Sequence, residues 1–533
     1  MSDPASTPPT VLPDLATLGA LLDRLDAEAP KAVGVWLQPD PQQPKHVQSD
    51  PRRGGAAAVG IATDGVAFTS RFDGEVAEVL QDWLGGMPET YVVFHGAQDT
   101  LLRLAVASHR RHPARTQKIG CTQTAAMLLA EGTRRGRDLP TLPECSEKLR
   151  GIPLPTADGL LADPIGTAGR HASALLPVMK ALTPMLRKRE LGRVYRLETD
   201  VIPAVVAMER SGLAVDAAGF ERISGEWQTE RMQTEDPARI ARLDKLISTY
   251  GYWGREHIRG GRIHCRLHPL ATDSGRFSCT DPNLQQVPSN HTAPGLRDCF
   301  AAPPSTRLVV ADYAQIELRV AAHLAPCDAM RRVFREGRDP HRATAATITG
   351  KDEQAITSRE RKLAKAVNFG FLFGMGAARF RSYAADGYGV ELSDREAADA
   401  RAAFLSTFPG IARWHKQVGG LSRRPGPVTV RTALGRRKRF VPGKVSFNAA
   451  LNIPVQGTAA EGFKRAMVAL DPALRELGGR GVMVVHDEYI AEVPEDRGEE
   501  GRALVAEIMK TSMASVVTTV PIEVEAELRA AWG

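Results

Sequence analysis

The chain has 533 residues, room for roughly two to four domains with cores of their own. It is 43% hydrophobic and 25% charged, which excludes a largely disordered chain, and a net charge of +7 permits a polyanionic partner without demanding one. Six scattered cysteines with no CxxC pair fit reduced thiols rather than a disulfide framework or zinc site. No basic segment followed by an apolar run opens the sequence and no stretch approaches membrane-spanning length, so a cytoplasmic protein without a membrane partner is expected.

Residues 1–12 are rich in Pro, Ser and Thr and read as an unpacked tail. From 13 to 190, short strands (31–37, 57–63, 90–96) alternate with amphipathic helices (16–27, 75–84), which predicts an α/β domain. A Pro-rich connection at 138–159 leads to a helix around 172–190. The segment 201–216 reads as a helix stopped by Gly212, and the short polar segment 216–244 as a helix on either side of Asp236-Pro237. The polar, turn-rich run 261–289 reads as a binding surface rather than a core. Residues 307–325 read as a buried strand that breaks at Asp312 and continues as a helix. A basic hairpin carries Arg436, Arg437, Lys438 and Arg439, a helix holds Gln456 near its start, and 481–493 reads as a hairpin with His486, Asp487 and Glu488 at its turn.

Two features carry chemistry. Arg361, Lys365, Phe369 and Phe373 recur every fourth residue, about 6 Å apart along one helix face. That face is half cationic and half aromatic, like a nucleoside triphosphate, although an amphipathic helix with core Phe side chains has the same pattern. Asp312 and Asp487 each end an apolar strand-like run, where a carboxylate must be paired, solvated or bound to a cation. In neighbouring strands the two would share one cleft, repelling by roughly 4 kcal/mol at about 4 Å, and a hard divalent cation would reverse that sign. The alternative for each Asp is a turn cap.

Taken together, ADYAQIELR (311–319), R-x3-K-x3-F-G-x2-F-G (361–374) and VHDE (485–488) occur in that order. They closely resemble motifs A, B and C of family A DNA polymerases, with support from DSGRFSCTDPNLQQVP (273–288), DPH (339–341), TALGRRKRF (432–440), NIPVQGTAAE (452–461) and the closing VPIEVEAELRAAWG. The resemblance covers about 198 to the end. It implies an α/β RNase H-like (exonuclease-like) N-terminal domain at 13–190, then a mixed α+β right-hand polymerase domain at 191–533. Within the latter it implies a thumb at about 216–250, fingers at about 330–420 and a palm from the remainder. The implied activity is template-directed DNA synthesis by a chain expected to be monomeric, with primer–template DNA and dNTPs as partners. Two Mg2+ ions would be held by Asp312, Asp487 and the Tyr313 carbonyl, with Glu488 accessory. Arg361, Lys365, His341, Gln315, Phe369, Phe373 and Glu317 would meet the dNTP, Lys365 as proton donor and Glu317 against a 2′-hydroxyl. Arg276, Asn283, Gln285, Gln456, His486, Arg436 and Arg437 would meet the DNA.

The departures from the family pattern make their own expectations. Phe373 stands where most relatives have Tyr, which would leave Glu317 less firmly held. Asn448 stands where many carry Arg, which would remove a DNA contact. Only 28 residues separate Asp216 from Lys245, a reduced thumb that implies weak grip and short, distributive synthesis. Where the exonuclease resemblance calls for clustered acids, the chain offers Trp36-Leu37-Gln38, Asp99 alone, and Thr167-x3-His171, so proofreading is expected to be absent. The rival readings are a residual nuclease, a DNA-binding scaffold and a single-subunit RNA polymerase.

Overall fold

The computed structural model describes residues 8–48, 50–87, 89–110, 112–113, 118–134, 138–155 and 162–533. The N-terminal part is a six-stranded mixed sheet in the order Thr10–Val11, Val66–Arg71, Ala56–Thr63, Ala32–Pro39, Tyr91–Phe94, Ile119–Cys121. The two pairings of the central strands Ala56–Thr63 and Ala32–Pro39 to one another and to Val66–Arg71 are antiparallel, and the rest are parallel. Helices Leu15–Glu28, Gly74–Gly86 and Ala97–Ala107 share a core with this sheet, while the helix Pro164–Lys188 packs against its strands. Of the expected tail, residues 1–7 lie outside the described residues, and Thr10–Val11 is a strand because it pairs with Phe68–Thr69 while Leu12 is buried. The Pro-rich connection contains a helix, Leu142–Arg150, capped by Thr141. Residues 156–161 of it are outside the described set.

The second part is built on a four-stranded antiparallel sheet, ordered Arg480–Val485, Glu488–Pro494, Thr306–Tyr313, Val524–Arg529. Thr306–Tyr313 is flanked on both sides by strands and packed by the helix Gly498–Ala514, so its run Leu308–Ala311 is fully buried. Six helices from Asp328–Arg335 to Pro409–Gly419 occupy the segment expected to be fingers. The helices Ala217–Gln233 and Pro237–Tyr250 pack as a short hairpin whose base buries Phe220, Trp227, Leu243 and Tyr250. The helix expected to begin near Gln456 starts at Phe447 and runs to Glu476, with Pro454 inside it.

Helix Ile202–Ser211 joins the two parts: Ile202 and Val206 enter the N-terminal core while Val205 and Met208 enter the main one. The run 261–289 proves largely interior, with Leu267, Phe277, Cys279 and Leu284 buried. Its polar side chains are drawn into internal pairs; Arg266 bridges Asp99 and the buried Glu209, joining the two parts by charge. All six cysteines are buried and unpaired. Among the described residues no helix is long and apolar enough to cross a membrane.

Within the N-terminal sheet, Trp36 stacks on His171 with ring centroids 4.7 Å apart and lies 6.4 Å from His95. The Trp36 indole donates to Gln38, which is buried. Burial pushes His95 and His171 each down to about 4, against an ordinary value of 6.5. The unfolded chain therefore binds more protons between pH 6.5 and 4, and stability falls as pH falls through that window, by about 3 kcal/mol per ring at most. Melting temperature is expected to drop on acidification from pH 7 to 4.5, and His171→Phe, which keeps the stack, to flatten that dependence. An unchanged pH profile in the variant would refute the assignment.

Candidate active site

Strand pairing places the acids. In the register of the sheet Asp312 lies opposite Glu488 on one side and Glu525 on the other. Val485 faces Glu488, so His486–Asp487 is a two-residue turn, with His486 at φ 59°, a conformation His tolerates better than most residues. Asp487 thus sits at the end of the strand beside Asp312, as the sequence required of a shared cleft. The Asp312 side chain reaches solvent along the cleft but is hemmed in by protein. Burial first, then the Asp487 and Glu488 charges, push its carboxyl up to about 7. Glu488 is also raised by burial, although the Trp532 indole donates to it at 2.8 Å. Trp532 is itself buried, with Arg297 4.2 Å above its ring. Two hard carboxylates crowded this way favour a bound cation, and their oxygen chemistry suits Mg2+ with further positions left for phosphate oxygens. Among the described residues no group of three or more His, Cys, Asp or Glu is placed to hold a metal ion on its own.

A second cluster lies on the helix Ser358–Leu372, started by a Thr357–Glu360 capping box. Arg361 pairs with Asp339 at 2.5 Å, and Asp339 also caps the helix Pro340–Thr349 through the His341 N–H. Burial pushes the Asp339 carboxyl up, but Arg361 and the His341 N–H outweigh it and hold it below the ordinary range. Lys365 is exposed and Phe369 partly so. His341 is 1% exposed; burial, helped by the Arg361 and Lys365 charges, brings it to about 4. It is therefore a neutral ring rather than the cation expected at a triphosphate. The buried Asn368 amide donates to His341 Nδ1, which leaves Nε2–H as the ring's donor. Phe373 lies one residue past the helix end, where Gly374 at φ 74° closes the turn.

A third group meets at Glu317. Arg276 binds it at 2.6 Å and Gln456 at 3.4 Å. Glu317, expected to be less firmly held without a hydroxyl at 373, thus has a guanidinium as its partner. Gln285 donates to the Val484 carbonyl beside the acidic turn, and Asn283 caps the short helix Leu284–Gln286. His486 is exposed, while Gln315 is partly exposed at the left-handed junction (φ 54°) between strand and helix.

Arg436 and Arg437 do not join the expected DNA face. Arg436 is 6% exposed and pairs with the buried Glu198, its guanidinium lying over Gly275, where any Cβ would collide. Lys464 binds the same carboxylate at 2.7 Å, and burial brings its amine down to about 8. Arg437 pairs with Glu131, and Lys438 with Asp273 at 2.8 Å. Charges left unpaired in an interior are costly, so this basic hairpin is drawn inward as a clamp and only Arg439 points out. Sequence reasoning missed Asn368, Asp339 and Trp532 as supports; the DPH motif signalled Asp339, and nothing local signalled the other two.

The family model for DNA polymerase family A matches residues 195–533, and the chain belongs to that family. The sequence is 41% identical over 302 residues to a thermostable DNA polymerase I of Thermus filiformis, spanning 54% of this chain and 35% of that protein. It is 36% identical over 280 residues to DNA polymerase I of Aquifex aeolicus, spanning 52% and 47% respectively. The chain thus matches less than half the length of these curated relatives. In fold it is similar to the POL domain of Pol1 from M. smegmatis, solved with a DNA primer-template and dNTP, with a TM-score of 0.81 and 23% identity over 98% of this chain and 99% of that one.

The clamp makes a prediction. Arg436→Ala strands the Glu198 carboxylate beside Lys464 alone and is expected to cost about 3 kcal/mol in urea unfolding. It should leave the salt slope of DNA binding unaltered; a shallower slope with unchanged stability would return Arg436 to the DNA face.

Proposed function

We propose that this chain is a DNA-directed DNA polymerase that adds dNTPs to a primer 3′ end. The observation that carries the reading is the register of Thr306–Tyr313 against Glu488–Pro494, which brings Asp312 and the Asp487 turn to one end of a family A sheet. Asp312, Asp487 and the Tyr313 carbonyl are the groups that would hold Mg2+. When bound there, two such ions would activate the primer 3′-hydroxyl and neutralise charge on the leaving pyrophosphate. Arg361 and Lys365 grip the triphosphate, His341 adds a neutral N–H, and Lys365 returns a proton to the leaving group. Phe369 stacks by the sugar and base, with Gln315 at the edge of the same pocket, and Phe373 lies where the template base enters. Glu317, held by Arg276, stands against a 2′-hydroxyl. Arg276, Gln456, Asn283, Gln285 and His486 form the minor-groove side of the primer end, where acceptors recur in every correct pair and so test its shape.

The N-terminal domain, about 13–190, is a degenerate RNase H-like exonuclease domain kept as a scaffold. Its support is the Trp36–His171 stack and buried Gln38 where acids would be needed, and the engagement of Asp99 by Arg266. The thumb, about 216–250, grips few phosphates. Its tip is bare, with Met232 79% exposed, and two of its arginines are engaged by its own acids, Arg231 with Asp244 and Arg239 with Glu230. The enzyme is therefore distributive and suited to gap filling, acting as a cytoplasmic monomer without proofreading.

Primer extension with Mg2+ tests the reading. Wild type should extend by few residues per encounter when a DNA trap is present, Asp487→Asn should lose at least a thousandfold in rate, and neither should shorten a mismatched primer without dNTPs. Extension by Asp487→Asn at the wild-type rate would refute the site, and primer shortening abolished by Asp99→Asn would favour a nuclease. The ribonucleotide gate has its own test. Arg276→Ala is expected to raise rNTP relative to dNTP incorporation by about tenfold, and Phe373→Tyr to change it by less than about twofold. The reverse ranking would show that Glu317 depends on residue 373.

A further inference from the structure

The fingers helix ends against the start of the long helix Phe447–Glu476. The last carbonyls of a helix have no intrahelical partner and must find one elsewhere. Here the Asn448 amide donates to the Phe373 carbonyl at 2.6 Å, and buried His415 bonds the Leu372 carbonyl at 2.8 Å. Gly374, at φ 74°, lies so close to Phe447 and Leu451 that a Cβ there would collide with the Phe447 ring. Ser446 caps the receiving helix, which fixes the backbone from which Asn448 reaches. The partly buried Phe373 ring packs against the buried cluster that includes Val418, Ala450 and Leu451, on whose rim Trp414 and Phe447 also lie.

We propose that Asn448 is a positioning residue for base selection, acting through Phe373 and not through DNA. The argument rests on the polymerase reading above. Phe373 lies just past the helix, where its own N–H and that of Gly374 turn back to the Phe371 carbonyl while its carbonyl reaches out to Asn448. Among the described residues Asn448 is the side-chain partner of that carbonyl. Losing it leaves the Phe373–Gly374 peptide held by the Gly374 N–H at 3.0 Å alone, which loosens it and with it the ring at the template side of the nascent pair. A displaced ring tolerates wrong pairs better, while the exposed position of Asn448 makes its loss nearly neutral for folding.

Single-nucleotide insertion by Asn448→Ala and Asn448→Asp tests this. Both are expected to lower the ratio of correct to incorrect kcat/KM by roughly threefold to tenfold. Asp should be the worse, since it sets a carboxylate against a carbonyl. Primer–template Kd and melting temperature should stay at wild-type values. In the background of Phe373→Ala, Asn448→Ala should have no further effect on selectivity, because the residue acts through that ring. Unchanged selectivity in both variants, a raised DNA Kd with unchanged selectivity, or full additivity with Phe373→Ala would each overturn the proposal. Absence of any extension by wild type would instead overturn the polymerase reading.

Discussion

The arrangement depends on like charges that strand pairing forces together. Asp312 stands at the end of a strand sealed on both sides, opposite Glu488 and Glu525 and beside the Asp487 turn. The apolar run that precedes it fixes its height in the sheet, and the two-residue turn fixes Asp487. Neither acid can withdraw without breaking ladder bonds, so the crowding is relieved by a proton, as the rise of Asp312 to about 7 expresses, or by a cation. At a pH above that value the carboxylate pair is a cost in stability that a bound cation would remove.

Much of the remaining chain holds that sheet still. Glu198, Arg436 and Lys464 form a buried ion cluster between the helix Gly192–Asp200, the basic hairpin and the long helix, while Arg266 joins Asp99 of the N-terminal part to Glu209. Asp99 thereby serves as a strut between the two parts. Arg437 with Glu131 adds another tie from hairpin to N-terminal domain. Such pairs are weak sources of net stability but strong sources of registry, since breaking any one leaves a charge stranded.

What was legible in the sequence was local. The strand-to-helix switch at Asp312, the helix Ser358–Leu372 with its cationic face, the two helices flanking Asp236-Pro237 and the hairpin of Asp487 follow from periodicity and turn residues over short windows. What was not legible came from distant partners. Arg436 reads as a surface cation until Glu198, 238 residues away, is seen to claim it. His341 reads as a phosphate-binding cation until burial beside Asn368 leaves it neutral. Phe373 continues the helical stripe on paper, but Gly374 ends the helix before it, and Asn448 replaces the helix as its support. Tertiary burial, in each case, decided what a charged or polar side chain was free to do.

The central claim is that Asp312 and Asp487 form one cation-binding site completed by a nucleotide. Anomalous diffraction from crystals grown with a dNTP and Mn2+ in place of Mg2+ tests it directly. A manganese peak is expected about 2.2 Å from carboxylate oxygens of both residues, together with the triphosphate. Manganese bound at other acids, with nucleotide present and both carboxylates bare, would contradict the account.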